Sequence, residues 1–193
     1  MQANIRKASA EDYDSLCPLF DEVDSLHRAN LPHIFKKPDG PVQEHDYYLG
    51  LISDENVGLF VAELDGNVVG FVHVIIKEAP DIPIFIQRQY VVIDNILVKS
   101  GFRNHGIGKL LMDKIQEWSF SKGATSVELN VYEFNSSAIS FYEKCGYKTF
   151  SRKLNKKIGM METSRFGKYV TKSSHHSNFL FIFRLNVLYP HFS

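Results

Sequence analysis

The sequence has no excess of charge of either sign. Its 193 residues include 22 Lys and Arg and 22 Asp and Glu, so the formal net charge at pH 7 is zero. The broad positive field that attracts nucleic acid or an anionic membrane surface is therefore missing. We predict no nucleic-acid partner and no membrane partner, and any recognition of a phosphate must be local.

Cysteine and long apolar runs are also scarce. Cys17 and Cys145 are the two cysteines, and neither belongs to a C-x-x-C motif or a histidine cluster. This spacing argues against a disulfide framework and against a zinc site, so we expect no metal ligand. The first seven residues lack the apolar stretch of a signal peptide, and no segment approaches the roughly 20 apolar residues of a membrane span. These absences predict a cytoplasmic protein.

The residues that are present predict one packed domain. Apolar residues make up 44% of the chain and aromatic residues 13%. Their spacing predicts an α/β (α+β) fold, in which a mixed central sheet, antiparallel early and crossing over later, is flanked by helices. We expect a hairpin turn at Asp65-Gly66-Asn67 and a kinked or split first helix at Pro18. The expected helices begin near Ser9, Glu44, Ile107 and Asn135, and the expected strands cover 57–64, 68–76, 90–98, 127–132 and 147–154.

One loop has the features of a phosphate site. It follows an apolar strand that ends at Val98, carries glycines at Gly106 and Gly108, and opens an amphipathic helix. The free N–H groups and the positive dipole end of such a helix point at one place, where an anion binds well. A pyrophosphate is the expected occupant, and Arg103 and Lys109 add positive charge. The residues expected to bind it are Arg103, Asn104, His105, Gly106, Ile107, Gly108 and Lys109.

Two other phosphate loops do not fit this segment. The nucleoside-triphosphate loop needs G-x-x-x-x-G-K-[ST], but Leu110 follows Gly108-Lys109 and Arg103 stands at the first glycine position. The dinucleotide pattern G-x-G-x-x-G needs glycine where Leu111 stands.

The segment matches the R-x-x-G-x-G loop instead, and residues 133–147 match N-x-x-A-x-x-[FL]-Y-x-x-x-G-[FY]. With these two motifs, residues 5–154 resemble the GNAT superfamily of acetyl-CoA-dependent N-acetyltransferases.

The resemblance implies direct transfer of the acetyl group from acetyl-CoA to an amine, without an acyl-enzyme. It implies that a bulge in the cofactor strand frees the N–H groups of Ile96, Leu97 and Val98 for the thioester and the pantetheine. It further implies cofactor contacts at Asn135 and Ala138, and proton donation to the departing thiolate by Tyr142. Asn135 could serve only as a helix cap, and Tyr142 only as a packing residue.

The candidate general base is Asp94, an acid within the apolar cofactor strand. We expect burial to raise its pKa toward a useful value, and a structural carboxylate satisfied by backbone donors is the alternative. Glu133 is a weaker second choice because it could simply face solvent. His27, His33 and His73 lack ligand spacing and are expected at the surface, in the acceptor site or as polar core residues.

The resemblance implies a domain of residues 1–158, with a C-terminal extension at 159–193 that contains the apolar run Phe179–Phe183. We expect that run to pack on the domain or, as an added strand or swapped arm, on the second subunit of a homodimer. The alternatives are a flexible tail and an extension without function. The expected function is N-acetyl transfer to an amine of a small molecule or a protein. The alternative is a non-catalytic acyl-CoA-binding regulator.

Overall fold

A five-stranded mixed sheet forms the centre of the fold. The computed structural model describes residues 3–40 and 43–157. Its strands lie in the spatial order β1-β2-β3-β4-β5, with antiparallel pairing up to β4 and parallel pairing between β4 and β5. The elements in chain order are β1 (Asn4–Lys7), α1 (Tyr13–Asn30), α2 (His45–Ser53), β2 (Val57–Leu64), β3 (Asn67–Glu78), β4 (Gln89–Val98), α3 (Ile107–Ser121), β5 (Val127–Leu129) and α4 (Ser136–Lys144). The predicted fold class is therefore confirmed.

Each face of the sheet carries its own apolar cluster. On one face, side chains of α3 such as Leu111 and Ile115 pack against alternate residues of β3 and β4, including Val72 and Val91. On the other face, α1 and α2 cover the intervening strand residues, and the Phe20 ring packs against that of Phe71 in a tilted arrangement at a centroid distance of 4.5 Å. The site described below lies where β4 passes between these two layers.

The hairpin between β2 and β3 has the expected turn. Asp65 and Gly66 are its two loop residues, with φ angles of 49° and 75°. A two-residue loop of this kind needs positive φ at both positions, which Asp and Gly tolerate. The first helix is not split at Pro18. The proline removes one intrahelical bond, and the buried Leu16 and Leu19 hold the helix on both sides of it.

Two parts of the chain differ from the sequence-based expectation. The edge strand β1 was not predicted, because its single aliphatic residue, Ile5, gives no alternating pattern. The predicted strand 147–154 is wrong, since the structure assigns no strand there. Phe150 and Leu154 are 90% and 89% exposed, so that segment lacks the half-buried face that a strand needs.

The compact unit that contains every helix and strand named above ends at Thr149. Residues 150–157 have neither helix nor strand. The predicted extension at 159–193 and its apolar run lie outside the described residues. Within the described part of the chain, no helix has the length and apolar character needed to cross a bilayer.

Candidate active site

The sheet opens between β4 and β5. The parallel pairing of these strands covers Val91–Ile93 of β4 and stops there, while β4 stays paired to β3 as far as Val98. The β3–β4 register shifts at the same place, because His73 pairs with Asn95 and Val74 with Ile93, so Asp94 is an extra residue in a β-bulge. Within the described ranges, no strand therefore pairs with the β5-facing edge of β4 beyond Ile93.

The register indicates which backbone groups face this opening. Lys99 N–H donates to the Val69 carbonyl at 2.9 Å, and antiparallel pairs alternate between bonded and non-bonded positions. Leu97 N–H therefore faces β3, whereas the N–H groups of Ile96 and Val98 face the opening. Of the three N–H groups predicted to contact the cofactor, these two have the required direction.

The loop between β4 and α3 has the geometry expected of an anion site. After a short 3₁₀ turn at Ser100–Phe102, the chain takes left-handed conformations at Asn104 and Gly106, with φ angles of 65° and 83°. Gly106 is the N-cap of α3, and the first bond of that helix runs from Leu110 N–H to the Gly106 carbonyl. The N–H groups of Ile107, Gly108 and Lys109 therefore precede the first intrahelical bond and remain available to a ligand.

Both predicted cations of the loop have carboxylate partners. Arg103 donates through Nε to the Val98 carbonyl at 2.7 Å and through Nη2 to Glu22 of α1 at 2.9 Å. Lys109 pairs with Asp113 one turn along α3, at 2.6 Å. Arg103 thus braces the loop against β4 and α1, and the charges of both cations are partly offset by these carboxylates.

Gly108 is needed for close packing of two helices. An added Cβ would lie 3.1 Å from Cε2 and Cζ of the Phe141 ring on α4. Because such a contact is tighter than ordinary van der Waals packing, a side chain at this position would push α4 away from the loop. This close contact holds the second motif, residues 133–147, against the R-x-x-G-x-G loop.

The residues of the second motif lie at the start and in the middle of α4. Asn135 is the N-cap, and its Oδ1 accepts hydrogen bonds from Ala138 N–H at 3.2 Å and from the Ser137 hydroxyl at 3.1 Å. Tyr142 packs beside Phe141 and Tyr147 on the α3 side of the sheet. Burial raises the pKa of Tyr142 to about 12, and its hydroxyl makes no hydrogen bond to any described residue.

Asp94 lies on the other side of the sheet, and its surroundings contradict the expected pKa shift. Its Oδ2 lies 3.1 Å from Nδ1 of His73, a β3 residue that is only 3% exposed. The His73 hydrogen bond is the main reason that the pKa of Asp94 is lowered, and it outweighs the opposing effect of burial. The Asp94 side chain is also 41% exposed, so it is not the deeply buried acid that the apolar strand suggested. Glu133, the second choice, is exposed.

A second carboxylate near Asp94 was missed by the sequence reasoning. Asp24 of α1 makes no hydrogen bond or ion pair within the described residues. Its pKa is raised mainly by burial, with smaller contributions from the Asp21 and Asp94 charges, although Arg28 and His27 oppose the shift. The sequence did not distinguish Asp24 from the other acidic residues of α1, so its proximity to Asp94 could not be predicted.

An aromatic cluster joins α1 to the segment between β5 and α4. His27 lies 5.3 Å from Phe35 and 5.6 Å from Tyr132, and Tyr132 stacks on Phe134 at 5.7 Å. Because Ile93 pairs with Leu129, this segment starts level with Asp94 at the opening. The cluster was also missed, since its members are far apart in sequence. His33 takes no part in it and is exposed.

Comparison with known proteins agrees with this geometry. Residues 20–147 match the sequence model of the "Acetyltransferase (GNAT) family". An uncharacterized N-acetyltransferase of Methanocaldococcus jannaschii is 30% identical over 143 residues, which is 74% of this chain and 59% of that protein. The chain thus spans about three-fifths of the length of that relative.

Solved structures show the same fold. A mutant of a Bacillus halodurans protein superposes with a TM-score of 0.76 at 23% identity, over 80% of this chain and 99% of that one. An aminoglycoside N-acetyltransferase in complex with CoA superposes with a TM-score of 0.61 at 16% identity, over 80% of this chain and 98% of that one.

The chain belongs to the GNAT family of acetyltransferases. The predicted family and the predicted fold are confirmed. The relatives are N-acetyltransferases, which agrees with the predicted enzyme class and gives no support to a non-catalytic regulator.

Proposed function

We propose that this protein transfers the acetyl group of acetyl-CoA to an amine by direct attack of the amine on the thioester. The observation that carries the proposal is the opening between β4 and β5, which lies directly before the loop at the N-terminus of α3. A long ligand with an acyl group at one end and a pyrophosphate at the other fits this arrangement. The opening offers N–H groups for the pantetheine and the loop offers N–H groups for the pyrophosphate.

The attack of the amine and the protonation of the thiolate take place on opposite faces of the sheet. The amine nitrogen bonds to the thioester carbon from the α1 side, where Asp94 and Asp24 lie, and loses a proton. The carbon–sulfur bond breaks, and the thiolate takes a proton on the α4 side, where the raised pKa keeps the Tyr142 phenol protonated. The products are an amide and free CoA.

Local geometry supports the cofactor contacts proposed from the sequence, except that of Leu97, whose N–H faces β3. Ile96 and Val98 supply N–H groups at the opening, and residues 104–109 supply the anion site. Arg103 contributes mainly by holding this loop in place. The Asn135 side chain caps α4 with Oδ1, which leaves its amide nitrogen for a contact with the pantetheine.

The acceptor is proposed to be an amine of a small molecule or of a protein. The cytoplasmic location and the homodimer remain predictions from the sequence. The segment that would form a dimer arm lies outside the described residues.

The direct test is consumption of acetyl-CoA with a panel of diamines, aminoglycosides, amino acids and peptide N-termini, combined with calorimetric titration of CoA. The substitution His105→Glu places a negative charge in the loop at an exposed side chain. We expect it to weaken CoA binding by at least ~10-fold, through repulsion of the pyrophosphate.

The matched control is Gln116→Glu, which adds the same charge at an exposed position in the middle of α3 and should leave CoA affinity unchanged. Equal affinities of the two variants would contradict the assignment of the loop. Failure to acetylate any amine in the panel, despite normal CoA binding, would contradict the proposed activity.

A further inference from the structure

His73 is a buried polar residue whose side chain makes one hydrogen bond within the described part of the chain, to Asp94. Its neighbours on β3, Val72 and Val74, are fully buried apolar residues, and His73 itself is 3% exposed. Nδ1 lies 3.1 Å from Asp94 Oδ2, whereas Nε2 is buried without a hydrogen-bond partner among the described residues. A buried imidazole with one unpartnered nitrogen is costly to a core, so a role through Asp94 would explain its presence.

The bulge directs Asp94 toward this histidine. Val91 and Ile93 pack against the α3-side cluster, and so do Ile96 and Val98. Side chains three residues apart in a regular strand point to opposite faces, yet Ile93 and Ile96 lie on the same face. They do so because the bulge inserts Asp94 as an extra residue between them. The bulge thereby places the Asp94 side chain beside His73, on the side of the sheet that α1 covers.

The groups around Asp94 favour its ionised form. His73 contributes most, and Lys77 of β3 and the Asn95 side chain of β4 act in the same direction to lower its pKa. Asp24 of α1 is the neighbouring acid on the helix that covers this face. A carboxylate that stays ionised at neutral pH is a weak proton acceptor but a good ligand for a cation.

We propose that Asp94, oriented by His73 at the bulge, binds the ammonium group of a cationic acceptor at the opening between β4 and β5. This inference rests on the proposed function and assigns its acceptor to the cationic amines. His73 is a positioning residue that acts through Asp94. Asp94 holds the acceptor, and the proton that the ammonium loses before attack passes to water.

Two substitutions at His73 separate positioning from packing. His73→Leu fills similar space but removes the hydrogen bond, whereas the side-chain amide of His73→Asn can donate from nearly the same place as Nδ1–H. With the best amine of the panel, we expect His73→Leu to raise the KM for the amine at least ~10-fold. The KM for acetyl-CoA should be unchanged, and His73→Asn should recover most of the loss. Asp94→Asn should raise the amine KM in the same way.

The pH profile gives a second measurement. Loss of the His73 hydrogen bond raises the pKa of Asp94, so the acidic limb of kcat/KM for the amine should move to higher pH in His73→Leu and return in His73→Asn. Val74→Ala is the control for core damage, because it is a buried neighbour whose side chain faces the other cluster. It should lower stability without moving the amine KM or the acidic limb.

An active wild-type enzyme in which His73→Leu leaves both the amine KM and the acidic limb unchanged would overturn this inference alone. A fall in kcat with unchanged amine KM in Asp94→Asn would also overturn it, since Asp94 would then act as the base. A wild type that binds CoA but acetylates no amine would instead overturn the proposed function, and this inference with it.

Discussion

At the residue scale, Tyr142 combines a largely buried ring with a hydroxyl that makes no hydrogen bond to any residue the structure describes. Its pKa is raised to about 12 because burial disfavours the phenolate, so the phenol keeps its proton throughout the neutral range. A group that must donate a proton to a thiolate needs this property. The same burial makes the ring a packing residue, and this packing is compatible with the proposed role as proton donor.

We expect Tyr142→Phe to lower kcat by at least ~10-fold, because general acid assistance is commonly worth ~10²-fold or more. Affinity for CoA should be nearly unchanged, since the ring still packs against Phe141 and Tyr147. Steady-state kinetics with titration calorimetry provide the measurement. Tyr147→Phe is the control, because it removes a second buried phenol beside the first, and it should leave kcat within ~2-fold. Unchanged turnover in Tyr142→Phe would remove this residue from the mechanism.

Gly108 is the second residue whose role depends on a contact that the sequence did not reveal. The R-x-x-G-x-G motif places glycine here, and glycine lets a ligand such as a pyrophosphate approach the backbone closely. The structure adds the Phe141 ring, which an added Cβ would meet at 3.1 Å. A side chain at this position would therefore meet Phe141 on one side, and on the other it would narrow the approach proposed for the pyrophosphate.

We expect Gly108→Ala to be less favourable in the wild-type background than in a Phe141→Leu background, by about 1 kcal/mol of unfolding free energy. The smaller leucine removes the overlap and leaves the gain in helix propensity that alanine brings. Urea unfolding of the two single variants and the double variant measures this difference. Strict additivity would show that Phe141 does not limit the space at Gly108.

At the scale of elements, a partly buried ion pair connects the start of α1 to the edge strand β1. Asp12 is 5% exposed, accepts two hydrogen bonds from the Arg6 guanidinium at 2.7 and 2.8 Å, and accepts one from Ser9 N–H at 2.8 Å. Arg6 also donates to Glu63 of β2 at 2.8 Å. The Arg6 hydrogen bonds are the main reason that the pKa of Asp12 is lowered.

We expect Asp12→Asn to lower the unfolding free energy at pH 7 by about 2 kcal/mol, the scale of a hydrogen bond to a charged group. A lowered folded-state pKa contributes stability above the ordinary pKa of about 3.9, and this stability is lost as pH falls through the folded-state value. The gap between wild type and variant should therefore shrink in acid.

Urea unfolding at pH 7 and at about pH 3 makes this measurement. Asp14→Asn is the control, because Asp14 is an exposed acid two residues further on, in the first turn of α1, and it should cost less than ~1 kcal/mol at either pH. A gap between wild type and Asp12→Asn that does not change with pH would contradict the linkage.

At the scale of the whole molecule, every proposed site residue lies within the compact unit that ends at Thr149, and the family match ends at 147. We therefore expect a chain truncated after Ile158 to bind CoA within ~2-fold of the full-length affinity and to retain acetyl transfer, because a single domain carries its own core. Calorimetry and the acetyl-CoA assay on both chains give the comparison. Loss of CoA binding on truncation would show that residues 159–193 complete the site.

The sequence alone determined the features that depend on local chemistry. The helix and strand periods, the Asp65-Gly66 turn and the glycine loop before α3 each need particular residues at a fixed spacing. They could therefore be predicted without knowing the rest of the fold. The second motif followed in the same way, because Asn135 caps a helix that begins one residue later. Local patterns failed at β1, which is a strand only because β2 offers it an edge.

The tertiary structure decided the electrostatics of the site. Asp94 was predicted to have a raised pKa because its strand is apolar, yet the hydrogen bond from His73, 21 residues earlier, reverses that shift. The proximity of Asp24 to Asp94 and the aromatic cluster around His27 also depend on contacts between segments that are far apart in the sequence. Such contacts arise only when α1 and β5 pack around β4, because a side chain's pKa depends on its neighbours in space and not on those along the chain.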